Sequence, residues 1–382
     1  VNAQIHAASI ISRPDTLGVA WADGSLDEFA SIWLYDNAPG HRDPHSGQRL
    51  VDIAELPEQP RIRAAALQSG RVRVEWEGSA ESACYDLAWL AAQRDRGPYR
   101  PEFEARTWLQ GADRKPGRDF ARASWEQLQS DRGLRSGWLT RLLQDGIAFS
   151  SGVPQEQDAL LASVRLVGQV AETNYGRVFD VRSVPQPENL AYSDLGLGLH
   201  TDNPYRDPVP GFQALHVLIA SPDGGESLFA DGFALAEHLR AIDPDAFGLL
   251  TRTPVPFQYR SQNAELFAER PLIQLSCRDE VCAVHYNSRS IAPLRLAPLE
   301  AAPFYAAYRR FAAVLREPRF QCKLHLPEGE IVVFDNQRIL HGRTAFSSAR
   351  HARHLRGCYL TRDSVYGSAA LLRREIASGE TT

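Results

Sequence analysis

Short apolar runs separated by turn residues dominate the chain, and they predict strands ahead of helices. RVRVEWEG (71–78) alternates polar and apolar positions, the period of a half-buried strand. GIAFSSGV, FQALHVLIA (212–220), SLFADGF, PLIQLSC, VCAVHYN and GEIVVFDN read as further strands, because Gly, Pro, Asp, Asn or Ser bound them. SIWLYDNAPG (31–40) reads as an apolar run broken by a turn, within a first 90 residues of short strands and turns. Helical spacing is confined to ACYDLAWLAAQR, to 136–145 with Trp138, Leu139, Leu142 and Leu143, to FALAEHLRAI and to PLEAAPFYAAYRRFAAVLREP. RDRGPYRPEFEARTW, rich in Pro, Arg and Gly, is the candidate linker and divides the chain into 1–95 and 96–382. The expected fold is mainly β with peripheral helices: a jelly-roll core preceded by a small N-terminal α+β domain.

Bulk properties narrow the function classes. The 382 residues carry a net charge of −5, and the arginines are spread rather than gathered, which argues against a nucleic-acid or membrane-surface partner. The five cysteines (Cys84, Cys277, Cys282, Cys322 and Cys358) form no CxxC pair. Cys277 and Cys282 have the spacing of a hairpin pair, but reduced structural thiols in a cytoplasmic protein are the expectation. No leader and no apolar run of membrane-spanning length is recognisable.

The chemistry gathers around LGLHTDNPYRDPVP. His200 and Asp202 are spaced so that an extended strand would present both on one side, as two ligands of a metal. A turn in which Asp202 caps the backbone is the alternative for this short motif. A third ligand is available in EIVVFDNQRILHGRTAF, where His341 precedes a glycine, 139 residues beyond Asp202. Two histidines and one carboxylate form the facial set of non-haem Fe(II) oxygenases, which leaves positions open for a cosubstrate and O2. An anionic chelating cosubstrate needs a cationic fork, for which Arg353 and Arg343 are the candidates. His216, within an apolar strand, reads as a core residue. The loop containing His41, Asp43 and His45 is a second, N-terminal metal candidate, against a plain polar loop.

HTDNPYRDPVPGFQALHVL, DGGESLFADGF, FDNQRILHGRTAF and RHLRGCYLTRD, with SIWLYDNAPG near the start, together resemble the γ-butyrobetaine hydroxylase family. These are Fe(II)- and 2-oxoglutarate-dependent dioxygenases that make L-carnitine, and the resemblance covers nearly the whole chain. It implies a double-stranded β-helix with iron on His200, Asp202 and His341. It implies 2-oxoglutarate held by Arg353, with Arg343, Asn189 and Leu215 beside it, and ascorbate as an activator. For the substrate, a trimethylammonium carboxylate, it implies an aromatic cage of Tyr175, Phe179, Tyr192 and Tyr359, since a quaternary ammonium donates no hydrogen bond. Asn203 and Asn287 are implied as polar substrate contacts, and a homodimer as the assembly. Relatives often carry Trp where this chain has Phe179.

One departure from the family is plain. Ala38, Gly40 and Asp43 stand where many relatives carry zinc-binding cysteines, so zinc is expected to be absent. Three rival functions remain at this stage. A trimethyllysine hydroxylase would need an acid for the extra α-ammonium, with Asp180 and Asp194 as candidates. A non-catalytic betaine-binding barrel would have no use for an open iron site. A metal-dependent isomerase or hydrolase on a cupin-like barrel would not require 2-oxoglutarate.

Overall fold

The computed structural model describes residues 7–94, 103–109, 120–156, 158–182, 195–346 and 353–379. The chain divides into two compact units, Val1–Tyr99 and Arg100–Thr382.

In the first unit two antiparallel three-stranded sheets form, Ala7–Ser12/Thr16–Trp21/Leu26–Ala30 and Ile62–Gln68/Arg71–Trp76/Ser82–Asp86. Arg71–Trp76 buries Val72, Val74 and Trp76 on one face, the alternation its sequence predicts. These join Leu17, Val19, Trp21 and Phe29 in a single apolar core. Two expectations need correction. Ser31–Asp36 is a helix, not a broken apolar run: Ser31 and Leu34, three apart, are its buried pair. ACYDLAWLAAQR is part strand and part helix, because Ala83 and Tyr85 alternate inward before the helix Leu87–Ala92 begins.

The second unit is β-rich. Ten longer strands and one two-residue strand form its two main sheets; the ten are β1 (Ala121–Ser124), β2 (Ile147–Ser151), β3 (Phe179–Arg182), β4 (Leu197–His200), β5 (Phe212–Ile219), β6 (Ser227–Asp231), β7 (Cys322–Leu324), β8 (Ile331–Asp335), β9 (Ile339–Arg343) and β10 (His354–Leu360). The larger sheet runs β3-β10-β5-β8-β2-β1, with the short strand Val170–Ala171 also on β10; the smaller runs β4-β9-β6-β7. Strand period two separates their faces. Phe212 and Ala214 of β5, Ile331 and Val333 of β8, and Cys358 and Leu360 of β10 pack outward. They meet Leu139 and Leu142 of helix Arg132–Asp145, and Ala369 and Leu372 of helix Arg362–Ser378. The alternate residues Val217, Val332, Phe334 and Leu355 pack inward with Phe229 and Ile339 of the smaller sheet.

Helices Pro244–Arg252 and Arg362–Ser378 are additional to those expected, as is the hairpin Val255–Arg260/Glu265–Arg270. The C-terminal end of the candidate linker is not a free connector. Phe103 and Trp108 are buried, and the Trp108 backbone N–H donates to Asp231. All five cysteines are free thiols. No helix among the described residues is long and apolar enough to cross a membrane.

Candidate active site

The site begins with register. Antiparallel pairing of β4 with β9 sets His200 directly opposite His341, with ring centroids 4.4 Å apart. Gly342 makes that approach possible: a Cβ there would stand 2.4 Å from the Leu197 carbonyl oxygen. Asp202 arrives differently from the expectation. β4 ends at His200, so Asp202 is presented by a bend rather than by strand periodicity. Buried Asn336 holds that bend. Its Oδ1 accepts from Asp202 N–H at 2.7 Å, and its Nδ2 donates to the carbonyls of Asp202 and Pro210 at 3.0 and 3.2 Å.

His200 Nδ1 lies 2.9 Å from the Gly198 carbonyl, which can only accept, so Nδ1 carries the hydrogen and leaves Nε2 facing Asp202 Oδ1 at 3.2 Å. His341 Nε2 lies 3.7 Å from Asp202 Oδ2. Burial, then His200 and Arg289, pushes the His341 pKa down to about 3, against the pull of Asp202. Burial alone would raise the Asp202 carboxyl, but His341, His200 and the Tyr359 hydroxyl outweigh it and hold the group below the ordinary range. With Nδ1–H given to Gly198, neutral His200 turns the Nε2 lone pair to a carboxylate, a repulsion that a cation between them relieves. The residues therefore fit a metal ion, and the N/O donor set of two imidazoles and a carboxylate suits Fe(II). Among the described residues, His200, Asp202 and His341 are the group of three whose ligand atoms lie within 4.8 Å of one another.

A pocket of about 790 Å³, open mouth included, surrounds this group. One part is basic: Arg343, two residues after His341 on β9, and Arg353 just before β10 line it with Ser227. Arg353 Nε donates to the Gly225 carbonyl at 3.1 Å, which fixes the plane of its fork. Burial and then Arg343 lower its pKa to about 10. Another part is aromatic: Tyr175 and Phe179 have centroids 6.3 Å apart, Phe179 and Tyr359 5.0 Å. Gly357 leaves room for the Phe179 ring, whose Cε2 would lie 2.5 Å from an added Cβ. The Tyr359 hydroxyl donates to Asp202 Oδ2 at 2.9 Å, joining the aromatic wall to the triad. Leu215 and Asn203 also line the pocket, and Asn203 Oδ1 accepts from the Tyr205 hydroxyl at 2.6 Å.

Other expected residues fall elsewhere. Asn287 borders a different cavity and donates to the Thr201 carbonyl at 3.1 Å. Asn189, Tyr192 and Asp194 lie outside the described residues. Asp180 is not a pocket acid, since it pairs with His354 and Arg356 at 2.7 and 3.2 Å. In the N-terminal loop the Asp43 carboxylate accepts from the His45 and Ser46 backbone, a turn rather than a converging ligand set. His216 is a fully buried core residue whose pKa burial lowers to about 4. Three pocket determinants escaped sequence reasoning. Asn336 stood in FDN as a turn residue, Ser227 followed the DGGE turn, and Gln213 is a buried pocket residue on β5.

The β-rich architecture and this site define a non-haem iron oxygenase. Residues 109–359 match the taurine catabolism dioxygenase TauD, TfdA family, and residues 10–91 match the γ-butyrobetaine hydroxylase-like N-terminal family. The chain belongs to the TauD/TfdA family and is a 2-oxoglutarate-dependent dioxygenase that uses Fe(II) and O2. It is 35% identical to the γ-butyrobetaine dioxygenase of Pseudomonas sp. (strain AK-1), covering 96% of each chain. It is 30% identical to dioxygenase str8 of Strobilurus tenacellus, covering 89% of this chain and 84% of that one. With the mitochondrial trimethyllysine dioxygenase of Gallus gallus it shares 28%, over 94% and 86%.

Proposed function

We propose that the protein hydroxylates γ-butyrobetaine to L-carnitine. One O2 is consumed: one oxygen atom enters the substrate C–H bond, and the other enters the succinate formed as 2-oxoglutarate loses CO2. The observation that carries this reading is one pocket joining the His200, Asp202 and His341 set to a basic part and an aromatic part. His200, Asp202 and His341 would hold Fe(II), which supplies when bound the O2 chemistry that amino-acid side chains lack.

The remaining work falls to the chain. Arg353 and Arg343 take the distal carboxylate of 2-oxoglutarate, with Ser227 and Leu215 shaping that part of the pocket. Tyr175, Phe179 and Tyr359 present ring faces to the trimethylammonium group, and Asn203 supplies a polar wall. Tyr192 and Asn189 join these sets on the family resemblance. The double-stranded β-helix core over 96–382, the separate domain over 1–95, a homodimer and a cytoplasmic location belong to the same proposal. Trimethyllysine is the rival substrate. Its α-ammonium calls for an acid, and the described lining of the pocket holds no acid besides Asp202.

The test is substrate-dependent succinate formation from 2-oxoglutarate under air, with Fe(II) and ascorbate, comparing γ-butyrobetaine and trimethyllysine. Turnover of γ-butyrobetaine with carnitine as product is expected. Turnover of trimethyllysine alone would keep the reaction and replace the substrate.

A further inference from the structure

A buried polar side chain without a partner calls for an explanation, because an apolar residue of the same size would pack there at less cost. Gln213 is such a residue. It is 2% exposed, it lines the pocket of the triad, and its Oε1 is buried with no hydrogen-bond partner among the described residues. Strand period two turns its neighbours Phe212 and Ala214 outward into the helices and leaves Gln213 and Leu215 on the pocket side of β5.

Register fixes what Gln213 stands beside. On one flank it pairs with Tyr359 of β10, whose hydroxyl reaches Asp202 Oδ2 at 2.9 Å. On the other it pairs with Phe334 of β8, whose ring centroid lies 4.8 Å from that of His341. Both of its neighbours in the sheet therefore touch a member of the triad. Leu215, two residues on, pairs with Gly357 and stands nearer the Arg353 end of β10. Packed sheets stand about 10 Å apart, and a glutamine side chain spans roughly half of that gap. The amide thus ends in the space that His200, Asp202 and His341 face.

The residue type suits that space. An amide turns about its last bond over a broad two-fold well, so it can give N–H to an anionic oxygen or accept a hydrogen from water. A carboxylate here would set a second negative group beside Asp202 and repel an anionic cosubstrate. A lysine or arginine would compete with a metal ion for Asp202.

We propose that Gln213 is the hydrogen-bond partner of an oxygen ligand of the metal held by His200, Asp202 and His341. Two ligands share the required chemistry: the keto-acid end of 2-oxoglutarate, and water. Gln213 orients the oxygen on the side of the metal turned to β5, while Arg353 draws the cosubstrate from the far end. The assignment rests on the metal-binding reading of the triad, and not on which substrate is hydroxylated.

Gln213→Leu keeps the approximate size and removes the hydrogen bond, and its melting temperature should hold or rise. Its affinity for Fe(II), measured without O2, should stay within about tenfold of the wild type, because the donor set is intact. Two arms then separate the oxygen ligands. In the first, the Fe(II) protein is titrated with 2-oxoglutarate without O2. A hydrogen bond to the keto acid predicts a dissociation constant raised about 10- to 100-fold and a displaced visible charge-transfer band. Gln213→Glu should weaken that binding further, through its charge. In the second, Co(II) replaces Fe(II) with no cosubstrate present. A hydrogen bond to water predicts an altered visible spectrum and a shifted ionisation of the bound water in a pH titration. A spectral change in either arm supports the assignment and names the ligand. Unmoved spectra in both arms would overturn it, whatever the affinities did, since packing alone then accounts for Gln213. A loss of metal affinity beyond about tenfold would also overturn it, by making Gln213 a support of the triad itself. Wild-type protein that bound neither Fe(II) nor Co(II) would remove the metal-binding reading, and this assignment with it.

Discussion

Two aspartates flank β9, and they have opposite surroundings. Asp231, at the end of β6, meets Arg338 through both carboxylate oxygens at 3.1 and 2.8 Å. It also accepts from the backbone N–H groups of Trp108 and Phe233. Arg338 gives two of its other three hydrogens to the carbonyls of Gln144 and Arg106, each at 2.7 Å, and its side chain is 1% exposed. Every charge in that set is answered by the chain. Asp202, just past β4, receives one side-chain donor, the Tyr359 hydroxyl, and otherwise faces the Nε2 atoms of two histidines. Closure makes the first aspartate a structural staple; incompleteness makes the second a binding site. The difference lies in what remains for a ligand to supply.

The largest effect expected from breaking this contrast is catalytic. Asp202→Ala should lower substrate-dependent succinate formation by about 1,000-fold or more through lost iron. The melting temperature of the metal-free protein should hold or rise, because the variant removes a buried carboxylate that faces the His200 lone pair. Iron content and a thermal melt check this together, and retained turnover would remove Asp202 from the site.

Arg338→Met reverses the pattern. It leaves Asp231 buried without its counter-charge and should cost about 3–5 kcal/mol in denaturant unfolding. The double variant with Asp231→Leu should recover much of that loss. A single-variant cost below about 1 kcal/mol would show that the two aspartates are not the opposites described.

Asn336→Ala releases the bend that carries Asp202 and should weaken iron affinity about 10- to 100-fold. Tyr359→Phe removes one hydrogen bond and keeps the ring, so a loss of no more than about tenfold in iron affinity is expected. Its KM for γ-butyrobetaine should hardly move if the ring face makes the contact. A large rise in KM with iron affinity intact would invert the two roles of Tyr359.

Much of this arrangement was legible in the sequence, for physical reasons. β5 and β8 stood out as apolar runs bounded by turn residues, and HTD with LHGR has a chemistry that few other patterns share. What was hidden depends on partners remote in the chain. Asn336 clamps a bend 134 residues away, and only the folded chain brings them together. The helix Ser31–Asp36 has too few turns for its period to declare itself, and its apolar residues fit a strand equally well. Asp180 could not be told from a pocket acid until β3 paired with β10 and set it opposite Arg356.

The smallest effect, nil at neutral pH, contrasts His285 with His341. Burial pushes both pKa values down to about 3, but His285 has only Arg270 as a second cause, and its Nε2 meets Gln274 Oε1 at 3.1 Å. The unfolded chain takes up a proton at His285 near pH 6.5, whereas the folded protein resists until about pH 3. More protons are then bound by the unfolded state, so stability is present in full above pH 6.5 and is lost as pH falls toward 3. His285→Gln should flatten the fall of unfolding free energy between these limits, by at most about 1.4 kcal/mol per pH unit. Loading with iron should protect His341 by occupying its lone pair and leave the His285 contribution untouched. An acid slope unaltered by His285→Gln would mean that His285 titrates alike in both states, and that its burial does not govern its charge.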